Sequence, residues 1–277
     1  MTEIDPTGAV AQWWETAISR MAPGVIELRG RPVQDLIGGT GLSSMIWLML
    51  RGDLPDARRA ALLDAALVAG VDHGPQAPSI AVARMAATCG VGLNNAVASA
   101  VNTLGDVHGG AGEQCVLLLD DILAREAAGA DLDAAVAEAV AAGPRYLPGF
   151  GHRFHPVDPR RDPLLDLVER AVRDGVVPGD HLRAGTALES HLANGREKPI
   201  PMNVDGATAI IYAELGFPAP LARGLFVLSR TVGILAHAWE ESQSGRRNKG
   251  PLPRAILPAH RDERESGPAT DDRPGLP

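Results

Sequence analysis

Three short stretches of this 277-residue chain set an ionisable side chain beside glycine: GDVHGGAGEQ with His108, PGFGHR with His152, and PMNVDGATA with Asp205. Glycine there lets a ligand approach the backbone closely, or lets the chain turn sharply enough to aim the side chain into a cleft. The segment PGFGHRFHPVDPR, residues 148 to 160, goes further. It gathers His152, His155, Arg153 and Arg160 where Pro and Gly forbid a helix, in a chain with only 8 histidines. Imidazoles and a carboxylate suit proton transfer, and arginines suit the grip of an anion. Taken singly, each motif also has a plain structural reading, since Asp-Gly commonly makes a turn and a lone histidine commonly serves as a hydrogen-bonded structural residue. A metal site of His152 and His155, completed by His108 or Asp205, is a rival. Pro156 and the broken helix make that spacing unnatural for ligands, so no metal is expected.

The elements that must carry these groups read as helices. PDARRAALLDAALVA, residues 55 to 69, places Leu62, Leu63, Ala66 and Leu67 on one side. SIAVARMAATCG offers Ser79 as an N-cap and a terminal glycine. DLDAAVAEAVAAG sets Leu132, Val136 and Val140 at helical spacing, and DPLLDLVERAVRDG offers Asp162 as cap, Pro163 at the first helical position and Gly175 as stop. From about Pro220 to Ser242, the stripe Leu221, Leu225, Leu228, Val232, Leu235 and Trp239 predicts a face packed on the core. The opposite side is apolar too, so the helix is expected to be buried all round, with Arg230 and His237 on its second face. A buried guanidinium needs an anionic partner, either an internal carboxylate or a bound substrate. Strand signals are almost absent, and residues 257–277, rich in charge, Pro and Gly, read as a disordered tail.

Composition narrows the function. Hydrophobic residues make up 45% of the chain but aromatics only 4%, so the core must be built from Ala, Val, Leu and Ile in closely packed helices. A net charge of −8 argues against nucleic acid as partner but leaves room for a locally positive pocket that takes small anions. No apolar run reaches the roughly 20 residues that cross a bilayer, and the acidic amino terminus is unlike a signal peptide. The expectation is a cytoplasmic protein without a membrane partner. Cys89 and Cys115, in apolar stretches without metal or CxxC spacing, read as buried small hydrophobes.

Taken in order, GDVHGG, LPGFGHRFHPVDPR, NVDG and LSRTVG resemble the signature segments of the citrate synthase family, and IELRGRPVQDLIGGTGLSSMIWLMLRGDLP resembles that family's opening region. DHGPQAPS, with His73, and NVDGATA are similar in particular to its citryl-CoA lyase branch, and the resemblance runs from about residue 15 to 250. It implies an all-α fold, with a large helical domain from residues 1–108 and 201–256 and a trimmed small one from residues 109–200. It implies a homodimer or higher oligomer with coenzyme A and a dicarboxylate or tricarboxylate in the cleft. On the family pattern His108 would hydrogen-bond the thioester carbonyl, Asp205 would move a proton on the acetyl α-carbon, and His152 would serve the oxaloacetate carbonyl oxygen. His73, Arg153, Arg160 and Arg230 would bind substrate, and Gly149 and Gly151 would lie by coenzyme A. The thioester is a substrate, and no tightly bound cofactor is implied.

Those residue types fit the chemistry. The α-proton of a thioester is weakly acidic, so an enol forms only when a carboxylate and an oxygen-stabilising donor act on opposite ends of one unit. In the cleavage direction His152 would take the proton of the tertiary hydroxyl of citryl-CoA, and Asp205 would protonate the departing enol. The pattern also has departures. The chain is much shorter than a full citrate synthase, with 96 residues between His108 and Asp205. Arg160 follows His152 by eight residues, one fewer than is usual, and His108 is a synthase trait in a lyase-like chain. A further arginine is expected from the neighbouring subunit, with Arg246, Arg247 and Arg254 as candidates. The reading is a citryl-CoA lyase. The alternatives are a citrate or methylcitrate synthase, or a binding protein that lost catalysis.

Overall fold

The computed structural model describes residues 6–153, 155–195, 197–250 and 254–256. The tail expected at 257–277 lies outside the described residues. The chain opens with α1 (Pro6–Trp13) and then forms a three-stranded antiparallel meander, β1 (Ser19–Ala22), β2 (Val25–Leu28) and β3 (Arg31–Pro32). This meander corrects the near-absence of strands expected from the sequence. Its signal is local: Pro23-Gly24 links β1 to β2 and Arg29-Gly30 links β2 to β3, with Gly24 at φ 76°, Arg29 at φ 50° and Gly30 at φ 74°. Two-residue loops with positive φ match the twist of a hairpin.

Helices follow throughout the rest: α2 (Val33–Leu36), α3 (Leu42–Arg51), α4 (Ala57–Gly70), α5 (Pro78–Thr88), α6 (Leu93–Val101) and α7 (Ala111–Ala127). Then come α8 (Leu132–Ala142), α9 (Arg161–Arg173), α10 (Asp180–Ala193), α11 (Val204–Glu214) and α12 (Ala219–Gln243), with a single 3₁₀ turn at Arg254–Ile256. The fold is the all-α one expected. Two helix starts move. Asp56 caps α4 by accepting the N–H groups of Arg58 and Arg59, whereas α9 begins at Arg161, before Asp162, and α5 begins at Pro78, so Ser79 sits in the first turn. The Ser79 hydroxyl is thereby released for another partner.

The core is centred on α11, where every residue from Gly206 to Glu214 is buried. Its sequence, GATAIIYAE, offers small or apolar side chains all round, so α4, α7, α9, α10 and α12 can pack on it from every side. Residues of both segments expected as separate domains contribute to this cluster, Leu62 and Leu63 on one hand and Leu119 and Leu188 on the other. A second cluster joins α5, α6 and α12 through Ala77, Ile80, Ala83, Ala96, Ala100, Ile234 and Ala238.

α12 crosses the end of α4 at closest range where Gly233 lies, since a Cβ there would stand 2.1 Å from the Val71 carbonyl oxygen. That crossing fixes Arg230, one turn earlier, against the end of α4. The stripe on α12 behaves otherwise than its pattern suggests. Leu225 is buried, but Leu228, Val232, Leu235 and Trp239 are 49%, 58%, 47% and 55% exposed. Small residues on the other faces make the close contacts, so the buried side of α12 is the one with Ala222, Ser229, Gly233, Ile234 and Ala238. By length and composition alone α12 could also cross a membrane, against the expectation of no bilayer-length run. Cys115 is buried as expected, whereas Cys89, just past the end of α5, is exposed.

Candidate active site

The loop from residue 147 to 160 is laced to the strand-like stretch before α11. Gly151 N–H donates to the Pro201 carbonyl at 2.7 Å, Asn203 N–H to the Gly149 carbonyl at 3.0 Å, and the Asn203 amide to the Gly151 carbonyl at 2.7 Å. The other end of Asn203 caps α11, its oxygen accepting from the N–H groups of Asp205 and Gly206. One side chain therefore couples the His152 loop to the Asp205 turn. The two backbones touch: a Cβ on Gly206 would lie 2.5 Å from the Gly149 oxygen, and one on Gly149 would lie 2.8 Å from Gly206 Cα and from Cys115 Sγ. Gly149 also holds φ 84°. Only glycine at both positions permits this approach.

Asp158 finishes the assembly. Its side chain is fully buried and accepts the N–H groups of Arg160 and Val204, and its two oxygens hold the Arg160 guanidinium at 2.9 Å each. Burial works against the charge, but the hydrogen bonds and charge of Arg160 and the Val204 N–H outweigh it and hold the carboxyl at about 2. In the sequence, only its place two residues before Arg160 in VDPR marks Asp158.

These elements bring His73, His108, His152, Arg160, Asp205 and Arg230 around one cleft of about 180 Å³. His108 comes from the tight loop before α7, where Gly105 N–H donates to its carbonyl at 2.8 Å. Its Nε2 accepts the Ser79 backbone N–H at 3.1 Å and lies 3.0 Å from the Ser79 hydroxyl. A backbone N–H can only donate, so the neutral ring carries its proton on Nδ1. Burial, then the Arg230 charge, hold His108 below the ordinary imidazole range. His152 is the mirror case. Its Nδ1 accepts the His155 backbone N–H at 3.0 Å, which leaves its proton on Nε2. Burial lowers its pKa, Asp158 opposes this, and His155 and Arg160 add to the lowering. Both imidazoles are thus neutral hydrogen-bond donors near pH 7.

The anion-binding side consists of His73, Arg160 and Arg230. Burial first, then Arg160, His152 and Arg230, keep His73 neutral below the usual range, and its Nδ1 lies 3.4 Å from an Arg160 nitrogen. His73 and His152 meet edge to face with centroids 5.3 Å apart. Arg230 is 4% exposed, as the sequence implied, but among the described residues no carboxylate hydrogen-bonds it. Its Nε donates to the Gly70 carbonyl at 3.0 Å and its guanidinium lies 4.9 Å from the Phe226 ring centroid. Burial pulls its pKa down, while Asp205 and Asp72 support its charge from a distance. Asp205, on the first turn of α11, is pushed up by burial against the pull of Arg230 and Arg160. It is the carboxyl group on the cleft wall among the described residues, and its raised pKa suits it to hold a proton.

Two expected residues lie elsewhere. Arg153 is exposed and, with Gly151 and His152, lines an adjoining cavity of about 610 Å³ bounded by Arg145, Tyr146, Leu192 and Ile200. Gly149 faces α11 rather than that cavity. Arg246 pairs with Glu241 of its own chain at 3.4 Å, beside Arg84 and Lys249, and the Arg254 side chain lies outside the described part of the molecule. His152 and His155 stack with centroids 4.6 Å apart. Among the described residues no group of three His, Cys, Asp or Glu converges as a metal site would require.

Known proteins resemble this chain in sequence and in fold. The family model "Citrate synthase, C-terminal domain" matches residues 55–254. Citrate synthase of Haloferax volcanii is 32% identical over 201 residues, 72% of this chain and 51% of its own. Citrate/2-methylcitrate synthase of Bacillus subtilis is 29% identical over 205 residues, 72% of this chain and 52% of its own. The chain thus spans about half the length of the curated relatives it matches. The structure of citryl-CoA lyase from Hydrogenobacter thermophilus superposes with a TM-score of 0.79 at 30% identity, covering 92% of this chain and 97% of that one.

Proposed function

The chain belongs to the citrate synthase family, and from that premise we propose that it cleaves citryl-CoA to acetyl-CoA and oxaloacetate. One observation carries the choice of a lyase. The likeness to the Hydrogenobacter citryl-CoA lyase takes in nearly all of both chains, whereas the match to the Haloferax citrate synthase takes in only 51% of that protein.

In this reading Arg230, with Arg160 and His73, binds the carboxylates of the oxaloacetate half. Arg230 still has guanidinium donors to offer, and its forked geometry holds two oxygens at once. The Nδ1–H of His108 holds the thioester oxygen as the enol forms. Asp205 enters in its acid form and delivers its proton to the α-carbon as the C–C bond breaks, which its raised pKa favours. The electron pair of the broken bond passes to the thioester unit as an enol, whose α-carbon takes the Asp205 proton; the tertiary hydroxyl proton passes to His152 Nε2, once the ring carries its own proton on Nδ1, and the oxygen becomes the oxaloacetate carbonyl.

His152 is the residue that must rearrange to fill its expected role. With Nδ1 accepting the His155 N–H, it rests as a donor through Nε2. To take the hydroxyl proton itself it must present a bare Nε2, and that requires residues 152–155 to give up this hydrogen bond. The larger cavity beyond Gly151 suits the pantetheine arm of coenzyme A, with Arg145 and Arg153 available to its phosphates.

The test is to give the purified protein citryl-CoA and identify the products. Oxaloacetate with acetyl-CoA supports the lyase. Citrate with free coenzyme A identifies a synthase, the reading favoured by the curated relatives and by the presence of His108. Coenzyme A binding without turnover would leave a binding protein.

A further inference from the structure

Four positions of α12 meet the segment that runs out of α4. The Ser229 hydroxyl donates to the Leu67 carbonyl, Arg230 Nε donates to the Gly70 carbonyl, and a Cβ on Gly233 would press on the Val71 carbonyl and lie 3.3 Å from Asp72 Cβ. His237 is the last of them, seven residues beyond Arg230, which is two turns along the same face. Its Nε2 stands 3.3 Å from Asp72 Oδ1. Among the described residues neither that oxygen nor His237 Nδ1 meets any other hydrogen-bond partner, although both atoms are buried. A buried carboxylate oxygen needs a donor, and a carboxylate can only accept, so the neutral ring carries its proton on Nε2 and turns it toward Asp72.

Asp72 acts at both of its oxygens. The second one accepts the Gly74 N–H at 3.1 Å, which closes a tight turn over His73 with Gly74 at φ 86°. Burial raises the Asp72 carboxyl, but the Gly74 N–H, His237 and the His73 N–H outweigh it and hold it below the ordinary carboxylate range. The group therefore stays charged, and its charge supports that of Arg230. From these contacts we propose that Asp72 and His237 form a positioning pair: His237 holds the Asp72 carboxylate against α12, and Asp72 fixes the turn that presents His73 beside Arg160 and Arg230. The pair touches no reacting atom. Its consequence for substrate rests on the reading of His73 and Arg230 as the grip on oxaloacetate.

The experiment uses the full chain and three variants at one position. Glutamine carries its amide nitrogen about as far out as the ring Nε2, whereas asparagine reaches only to the level of Nδ1 and leucine donates nothing. Histidine nitrogen-15 spectra taken without substrate should show His237 protonated on Nε2 in the wild type. His237→Asn and His237→Leu should shift the His73 ring signals and leave those of His108 in place, and His237→Gln should keep both near wild type. By calorimetry, oxaloacetate should bind His237→Asn and His237→Leu about tenfold more weakly, as the loss of a hydrogen bond to a charged group implies, with coenzyme A affinity unchanged and oxaloacetate affinity restored in His237→Gln. Adding His237→Asn to Asp72→Ala should cost nothing further, because the two residues act as one unit. The proposal is overturned if the Asn and Leu variants match wild type in the His73 spectrum, if the Gln variant fails as the Asn variant does, or if coenzyme A binding weakens as much as oxaloacetate binding. A wild type that binds no oxaloacetate sinks the proposed reaction instead, and the His73 spectra still decide the pair.

Discussion

Replacing Asp158 with Asn tests whether one buried carboxylate holds the site together. Asn keeps the volume but removes the charge opposite Arg160, and its NH₂ must face a group that can only donate, either the guanidinium or the Val204 N–H. Asp158 sits at about 2 in the folded protein against 3.8 unperturbed, which corresponds to about 2 kcal/mol of stability at neutral pH. A misplaced donor adds roughly 1 kcal/mol or more. Asp158→Asn is therefore expected to lower stability by about 3 kcal/mol and the melting temperature by about 6–12 °C. The pH dependence has a defined sign. A lowered carboxyl pKa stabilises fully above the unfolded value and is lost as pH falls through the folded one. The gap between wild type and variant in urea unfolding should stay constant from pH 8 to 5 and narrow only below about 4. With Arg160 released from its anchor, oxaloacetate should bind about tenfold more weakly, as calorimetry would read. A stability gap under about 0.5 kcal/mol at pH 7, or one that widens on acidification, would refute the reasoning.

Asp205→Asn should reduce turnover by about 10³-fold or more while coenzyme A still binds, because an amide cannot deliver the proton; an active variant removes Asp205 from the mechanism. In wild type the cleavage rate should fall as pH rises through the Asp205 pKa, above the ordinary 3.8, since cleavage needs its acid form. The synthetic direction should show the opposite limb. Arg230→Gln should weaken oxaloacetate binding by roughly 10- to 100-fold, the loss of a charge-assisted pair, with little change in affinity for coenzyme A itself. Nitrogen-15 spectra of the histidines should show His108 protonated on Nδ1 and His152 on Nε2; the reverse pattern at either ring would undo the donor roles derived from Ser79 and His155.

The groups of the site were legible one by one. Glycine beside His108, His152 and Asp205 marks places where the chain must turn or be approached, and such marks are local. Arg230 within an apolar helix could be read as buried, because a 3.6-residue repeat places it on a face that packs. Its lack of a carboxylate partner could not be read, because that depends on α12 crossing α4 at Gly233, and contacts between distant segments leave no periodic trace. Asp158 went unnoticed for the same reason: its worth comes from Val204, forty-six residues away, as much as from its neighbour Arg160.

The sequence by itself determined helix and core composition, the order of the signature segments and the inventory of groups able to move protons or hold anions. These follow from local propensity and side-chain chemistry. Only the tertiary structure decided which ring nitrogen of each histidine carries the proton, which arginine is already engaged, and which face of α12 is left open. Each of these turns on what one segment meets in another, and a hydrogen bond or a packed surface belongs to both.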